Sequence, residues 1–250
     1  MVDISDRLQQ VKTLVDRGDY FVMNRARQYG KTTTLSQLTY SLSPDYTVFF
    51  ISFEGCGLSM FENENAFCQS LCGLLYDTIL YEEVSGISHE LQKELEVAAH
   101  SESTEMNLRK FSNFISKLCR EIRKPVVLII DEVDQASNQA LFLEFLGMLR
   151  DKFLKRMSRP TFQSVILAGV YDIKNLKLKI REHDEHQYNS PWNIAVPFRV
   201  DMSFSPEDIA GMLWQYEQDN HTGMPTEMIS GMLYEYTSGY PFLVSALCKK

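Results

Sequence analysis

Residues 20–38 read YFVMNRARQYGKTTTLSQL. A short apolar run, YFVMN, gives way to a polar turn and then to a segment that places Leu35, Leu38 and Leu42 on one helical face. The turn ends in Gly30, Lys31 and Thr32, the second half of the phosphate-loop pattern GxxxxGK[ST], which is found between a strand and a helix. A glycine there allows close backbone approach, the amides that follow converge on phosphate oxygens, and the helix N-terminus adds its positive end. Lys31 is placed to neutralise terminal phosphates and Thr32 to hold Mg²⁺ through its hydroxyl, with Thr33 beside them in the first helical turn. Arg25, however, stands where the first glycine belongs, and arginine supplies neither glycine's backbone freedom nor its lack of bulk. Taken alone, the triplet leaves a nucleotide site and an ordinary lysine after a glycine evenly matched.

A second stretch shifts that balance. VVLIIDEVD, residues 126–134, is the most strand-like run of the chain and ends in acidic residues. Open α/β folds place ligands at the carboxyl ends of their strands. Asp131 there is a candidate to hold the water shell of Mg²⁺, and Glu132 to polarise a water attacking a γ-phosphate. Asp134 suits a helix-capping or supporting role instead. Hydrophobic strands often end in polar turns, but the coexistence of this run with a strand-GKT-helix unit in one chain favours a nucleotide site.

The remaining pattern supports the same architecture. YTVFFISFEG, residues 46–55, and FQSVILAGV, residues 162–170, are further apolar strands, and continuous apolar character suits a parallel sheet covered on both faces. Helical spacing fills the intervals, with Phe61, Phe67, Leu71, Leu74 and Leu75 as core positions in one of them. Residues 85–103 are polar enough to predict a loop or weak helix, and IAVPFRVDM, residues 194–202, suggests a last strand. Alternating strands and helices predict an α/β protein on a mostly parallel sheet. Beyond residue 203 three successive helical segments predict a small helical subdomain, so the expected division is 1–203 and 204–250, with the second part open to continuation in a further domain.

Composition narrows the function classes. The 250 residues are 44% hydrophobic and 23% charged, which describes a folding chain, and the net charge of −8 disfavours a surface devoted to nucleic acid or anionic membrane. Five scattered cysteines form no CxxC pair, so they read as reduced, mostly buried thiols of a cytoplasmic protein. The N-terminal stretch lacks the apolar core of a signal peptide, and no stretch has the length of a membrane span. His183 and His186 lack the HExxH arrangement of a metal helix, and GxSxG and GxGxxG are absent.

YFVMNRARQYGKTTTL, VVLIIDEVD, YNSPWNIAVPF and TSGYPFLVSAL together resemble the bacterial AAA-ATPase-like family, related to STAND and archaeal-type P-loop ATPases. That resemblance covers essentially the whole chain and implies a P-loop NTPase with a C-terminal helical lid. The family often opens its phosphate loop with an RPRxxGKS-like sequence, which makes Arg25 and Arg27 a family feature, although Ala26 replaces the family proline. By resemblance, Gly30, Lys31 and Thr32 form the Walker A core, Asp131 and Glu132 the Walker B pair. Gly239 and Pro241, in GYP, are similar to the turn by which related lids approach adenine. Pro241 also suits an ordinary first helical turn. The family is commonly followed by a PD-(D/E)XK nuclease-like domain.

The implied activity is binding of ATP with Mg²⁺ and hydrolysis to ADP and phosphate, used as a conformational switch. Glu132 and Lys31 would be its catalytic residues, and Arg25, Arg27, Gly30, Lys31, Thr32, Thr33, Gly239 and Pro241 its nucleotide contacts. Thr32 and Asp131 would hold the metal. Ala168, at the place where related ATPases carry a polar sensor, keeps open a nucleotide-sensing module with negligible hydrolysis. A nucleic-acid-associated or defence role rests on family association alone. Arg199 is a more distant phosphate candidate, self-association stays open, and the protein or nucleic-acid client is unspecified.

Overall fold

A computed structural model describes residues 2–26, 28–82, 84, 86–101, 105–136, 140–170 and 192–249. Arg27, His183, His186 and residues 189–191 lie outside the described residues. Four parallel strands, β1 (Phe21–Asn24), β2 (Thr47–Ser52), β3 (Val126–Asp131) and β4 (Ser164–Gly169), form one sheet in the order β1-β4-β3-β2. The register pairs Ser52 with Asp131, Ile130 with Leu167, and Asn24 with Gly169. Every residue of the central strands β3 and β4 is buried. This is why both read as unbroken apolar runs with no alternation.

The two faces are nevertheless separated by the period-two geometry of the strands. Tyr20, Val22, Phe49, Ile51, Leu128, Ile130, Val165 and Leu167 turn to one side, where they pack with α3 (Glu64–Tyr81), α4 (His89–His100), α5 (Leu108–Glu121) and α6 (Ala140–Leu154). Phe21, Met23, Val48, Val127, Ile129 and Ile166 turn to the other, against α1 (Ser5–Asp16) and α2 (Lys31–Leu42). Cys68 and Cys72 are buried in the first cluster, where desolvation pushes both thiols up to about 12. They act as small core side chains, as expected.

Two segments differ from the sequence expectation. The region predicted to be a loop or weak helix contains a well-formed twelve-residue helix, α4, whose start is capped by Ser88 accepting a hydrogen bond from the Leu91 amide. Leu91, Leu95 and Ala98 recur at helical spacing and bury one stripe, while the many polar residues occupy its other face. The last strand anticipated in residues 194–202 is a single bridge, Phe21 to Val196, with the Val196 amide donating to the Tyr20 carbonyl at 2.9 Å. Pro197 follows immediately and has no N–H to continue the ladder.

Three helices close the chain: α7 (Pro206–Asn220), α8 (Thr226–Thr237) and α9 (Pro241–Cys248). Ser205 and Asp208 form a reciprocal capping box at the start of α7, and Ile209, Leu213 and Val244 make a small apolar centre with Phe204, Ile229 and Leu233 around it. Arg7 of α1 bonds the Ser203 carbonyl at 2.8 Å and the Asp208 carboxylate, joining this helical part to the sheet's flank. The turn between α8 and α9 returns against residue 204, with the Phe204 amide donating to the Gly239 carbonyl at 2.8 Å.

Gly239 is required there twice over. Its φ is +72°, and a Cβ would stand 2.0 Å from the Phe204 carbonyl oxygen. Gly239→Ala is therefore expected to destabilise the protein by about 2–4 kcal/mol, the sum of a left-handed backbone cost and a forced backbone separation. Chemical denaturation followed by the fluorescence of Trp214 on α7 measures this, and an unchanged midpoint would show that the two strands of chain part freely.

Candidate nucleotide site

Where β1 ends, residues 25–30 lead to α2. The Arg25 amide still donates to the Gly169 carbonyl of β4 at 3.1 Å, extending the ladder by one step. Gln28 and Gly30 adopt left-handed conformations, at φ +61° and +73°. At Gly30 an added Cβ would meet nothing within 4 Å, so the glycine answers to conformation and to the open space above it. Lys31 begins α2 and is buried, with its ammonium donating to the carbonyls of Arg25 at 3.1 Å and Ala26 at 3.4 Å. The lysine thus lies beneath the loop and is held by the loop's own backbone.

The Walker-type carboxylate arrives from β3. Asp131 is 2% exposed, and its carboxylate accepts from the Thr32 hydroxyl at 2.7 Å and from the Glu132 amide at 2.9 Å. These two residues are 99 positions apart in sequence. Glu132 follows in a left-handed conformation, φ +53°, uncommon for a residue bearing a Cβ and of the kind found at functional positions. Burial, reinforced by the adjacent Asp131 charge, holds the Glu132 carboxyl above the ordinary glutamate range, against an opposing pull from Lys31. Asp134 accepts from the Val170 amide at 2.6 Å and so ties the turn after β3 to the end of β4, the supporting role expected of it.

Two cavities meet at the loop. A polar one of about 450 Å³ is lined by Gln28, Gly30, Lys31, Thr32, Thr33, Glu54, Glu132 and Gln135. An apolar one of about 270 Å³ shares Gly30 and Thr33 with it and runs between Ile4, Met202, Phe204, Met212 and Pro241. Pro241 therefore reaches the site directly, whereas Gly239 acts by shaping the turn that carries it. Tyr240, between them, packs on Tyr29 of the loop with ring centroids 4.8 Å apart, and the Tyr29 hydroxyl is 3.1 Å from the Ser203 hydroxyl.

Arg25 is placed differently from the phosphate contact expected of it. Its guanidinium donates to the Val200 carbonyl at 2.7 Å and to the Asn24 carbonyl at 2.9 Å, and lies over the Phe198 ring at 5.2 Å. Its charge is directed at the segment beyond Pro197, where it takes over from the missing ladder bonds. Arg199, on that segment, is exposed. Ala168 is buried in β4 opposite Met23 and presents no polar atom from its side chain.

Several participants were not singled out from sequence. Glu54, just beyond β2, carried the same mark as Asp131, an acidic residue after an apolar strand. Gln135 lay in a turn next to the acidic run. Arg7, Tyr29 and Met202 carried no local mark, because only the packing of the C-terminal helices brings them together. Thr32 and Asp131 offer hard oxygen donors suited to Mg²⁺, and among the described residues no cluster of three acidic, histidine or cysteine side chains could hold a metal unaided.

A parallel sheet with a glycine-lysine-threonine turn at the head of one helix and a carboxylate from the end of β3, one strand removed from β1, bonded to that threonine defines a P-loop nucleotide-binding fold. The chain belongs to the family described as AAA-like domain, which matches residues 5–249. Among solved structures it is similar to the Walker-type ATPase PABY2304 of Pyrococcus abyssi, with a TM-score of 0.62 and 16% identity over 98% of this chain and 66% of that one. The Aeropyrum pernix ORC2 protein is also similar in its ADPNP-ADP complexes, with a TM-score of 0.52 and 12% identity over 92% of this chain and 57% of that one. Its ADP form gives 0.51 and 12% over 96% and 58%. The chain therefore spans less than two thirds of each of these structures. No curated protein matches it by sequence. Among the described residues, no helix is long and apolar enough to cross a membrane.

Two outcomes follow from this geometry. Arg25→Ala is expected to speed amide hydrogen exchange across residues 196–204 by severalfold, since it removes both the carbonyl bond and a ring contact worth about 0.5–1 kcal/mol; unchanged exchange would mean that the segment is held without it. For Glu132, a raised carboxyl pKa means that its ionisation opposes folding, so stability is full below the unfolded value near 4.5 and declines as pH rises through the folded value. Glu132→Gln should raise the melting temperature at pH 7 and leave it unchanged at pH 4, and an equal effect at both pH values would contradict the burial argument.

Proposed function

We propose that this chain binds ATP with Mg²⁺ and hydrolyses it to ADP and phosphate. The observation that carries the reading is the hydrogen bond between Thr32 and Asp131, which gathers two oxygen donors at the N-terminus of α2 while Lys31 and Glu132 border the same cavity. Mg²⁺ held by the Thr32 hydroxyl and the Asp131 carboxylate would neutralise charge on the phosphate oxygens and fix their geometry. The loop amides from Gly30 to Thr33 bind and orient the phosphate chain at the helix N-terminus. Lys31 supplies the positive charge at its far end, once its ammonium leaves the Arg25 and Ala26 carbonyls.

Glu132 is the residue that orients a water and accepts its proton at a carboxylate oxygen, and burial beside Asp131 raises its carboxyl above the ordinary glutamate range, which strengthens it as a base. Gln135 and Glu54, also on the cavity wall, provide polar atoms in the absence of any from Ala168. The apolar cavity beside Gly30 suits a planar base lying between Met202, Phe204 and Pro241. Residues 204–250 then act as a lid on the 1–203 core, coupled to the phosphate loop through the Tyr29–Tyr240 contact, and nucleotide state sets its position. The lid's movement is the switch, and it works on a protein or nucleic-acid client in the cytoplasm.

Ala168 favours a second reading, a sensor that binds ATP without turning it over. Phosphate release under multiple turnover, together with nucleotide binding by calorimetry, separates the two. Lys31→Ala is expected to weaken ATP binding at least tenfold, and Glu132→Gln to retain binding while lowering turnover by about a hundredfold or more. Binding with no phosphate release in the unsubstituted protein would establish the sensor, and ATP affinity unaffected by Lys31→Ala would remove the nucleotide reading altogether.

A further inference from the structure

A groove between α5 and α6 encloses about 780 Å³, more than either cavity at the phosphate loop. One wall is the turn at Arg159, Pro160 and Thr161 that leads into the amino end of β4. The phosphate loop lies at the carboxyl end of β1, so the groove reaches the opposite end of the parallel sheet.

Its lining carries Arg109, Lys117, Arg120, Lys152, Lys155 and Arg159 against one acidic residue, Asp151. Asp151 pairs with Lys155, and Lys117 pairs with Glu94 on α4. Arg109, Arg120, Lys152 and Arg159 have no carboxylate partner among the described residues, in a chain whose net charge is −8. The arginines are exposed at the rim, but Lys152 is buried, at 6% exposure. Its ammonium donates to the Ser112 carbonyl at 2.8 Å and the Ser116 hydroxyl at 2.7 Å, both neutral acceptors. Burial pulls this amine below the ordinary lysine range, opposed by Cys119 and Asp151 and reinforced by the nearby Arg159. Two neutral acceptors hold the ammonium while Asp151 is the one carboxylate among the described residues that acts on its charge, so a buried cation ringed by other cations costs stability unless an anion approaches.

Among the described residues no aromatic ring lines the groove, so these offer bases nothing to stack on, while Ser112, Asn113 and Ser116 add neutral polar groups among the cations. Its volume falls in the range of small-molecule sites. We propose that the α5–α6 groove is a second anion site, separate from the nucleotide site, that takes a compact oligophosphate. Lys152 compensates charge at its floor, and Arg109, Arg120 and Arg159 close on the phosphates from the rim.

Calorimetry with inorganic tripolyphosphate tests this in the full chain carrying Lys31→Ala, so that the phosphate loop contributes little. Saturable binding is expected, falling steeply with salt, and weakened at least tenfold by Arg120→Glu with Arg159→Glu but unchanged by Lys93→Glu on α4. Lys152→Met, of similar volume, should weaken binding while raising the denaturation midpoint. ATP as a second probe distinguishes sources: equal affinity assigns the phosphate chain of a nucleotide, and preference for tripolyphosphate assigns the free chain. Absence of saturable binding, or binding indifferent to the double charge reversal, overturns the site. So does capture of a single-stranded oligonucleotide by a groove that ignores tripolyphosphate. Because the double variant keeps Lys31, Thr32 and Asp131 when made in the unsubstituted chain, its ATP turnover reports on the nucleotide site separately.

Discussion

The hydrogen bond from Thr32 to Asp131 depends on a strand buried on both sides. β3 has neighbours in the sheet at both edges and helices over both faces, so a charge anywhere along Val126–Ile130 would be stranded without water. Only at its last residue can a carboxylate find partners, and there Asp131 meets a hydroxyl and an amide. The parallel register carries the consequence across the sheet: β1 ends beside β4, β4 runs beside β3, and the loop that leaves β1 arrives over the carboxylate that ends β3. Phosphate loop and acidic strand end are thus one construction, fixed by where four strands stop.

The unusual entrance of the loop belongs to a different part of that construction. Beside β1, among the described residues, the sheet has a fragment of a fifth strand, interrupted by Pro197 after one bridge. A glycine at position 25 would leave residues 198–200 without the side-chain bond and ring contact that hold them to the loop. Arginine supplies a donor long enough to reach the Val200 carbonyl and a flat cation to lie on Phe198. The residue that departs from the phosphate-loop pattern thereby completes the sheet edge, and the lysine below takes its backbone carbonyl as a partner.

The sheet was legible in the sequence because its strands are continuous apolar runs bounded by polar turns, and Lys31, Thr32, Asp131 and Glu132 were legible because chemistry at strand ends leaves a local pattern. α4 was hidden because half of its residues face solvent, which gave Leu91, Leu95 and Ala98 too little weight against their polar surroundings. The partial strand at Val196 was overestimated, since apolar residues flank a proline whose effect on the ladder is decisive. Arg25 was read as a charge seeking phosphate when its partners were a carbonyl and a ring 175 and 173 positions away, contacts that no spacing rule encodes. The apolar cavity was invisible for the same reason, being assembled from both ends of the chain.

The loop grips residues 198–204 at two points, Arg25 at one end and Tyr29 at the other, with the α8–α9 turn pressed on the second. A lever held at two points can tilt but cannot slide. A rearrangement of backbone between residues 25 and 29 would therefore disturb one or both of these contacts with the strap that leads into α7. Strap and loop thus lie side by side through contacts whose partners are 175 and 174 residues apart in the chain.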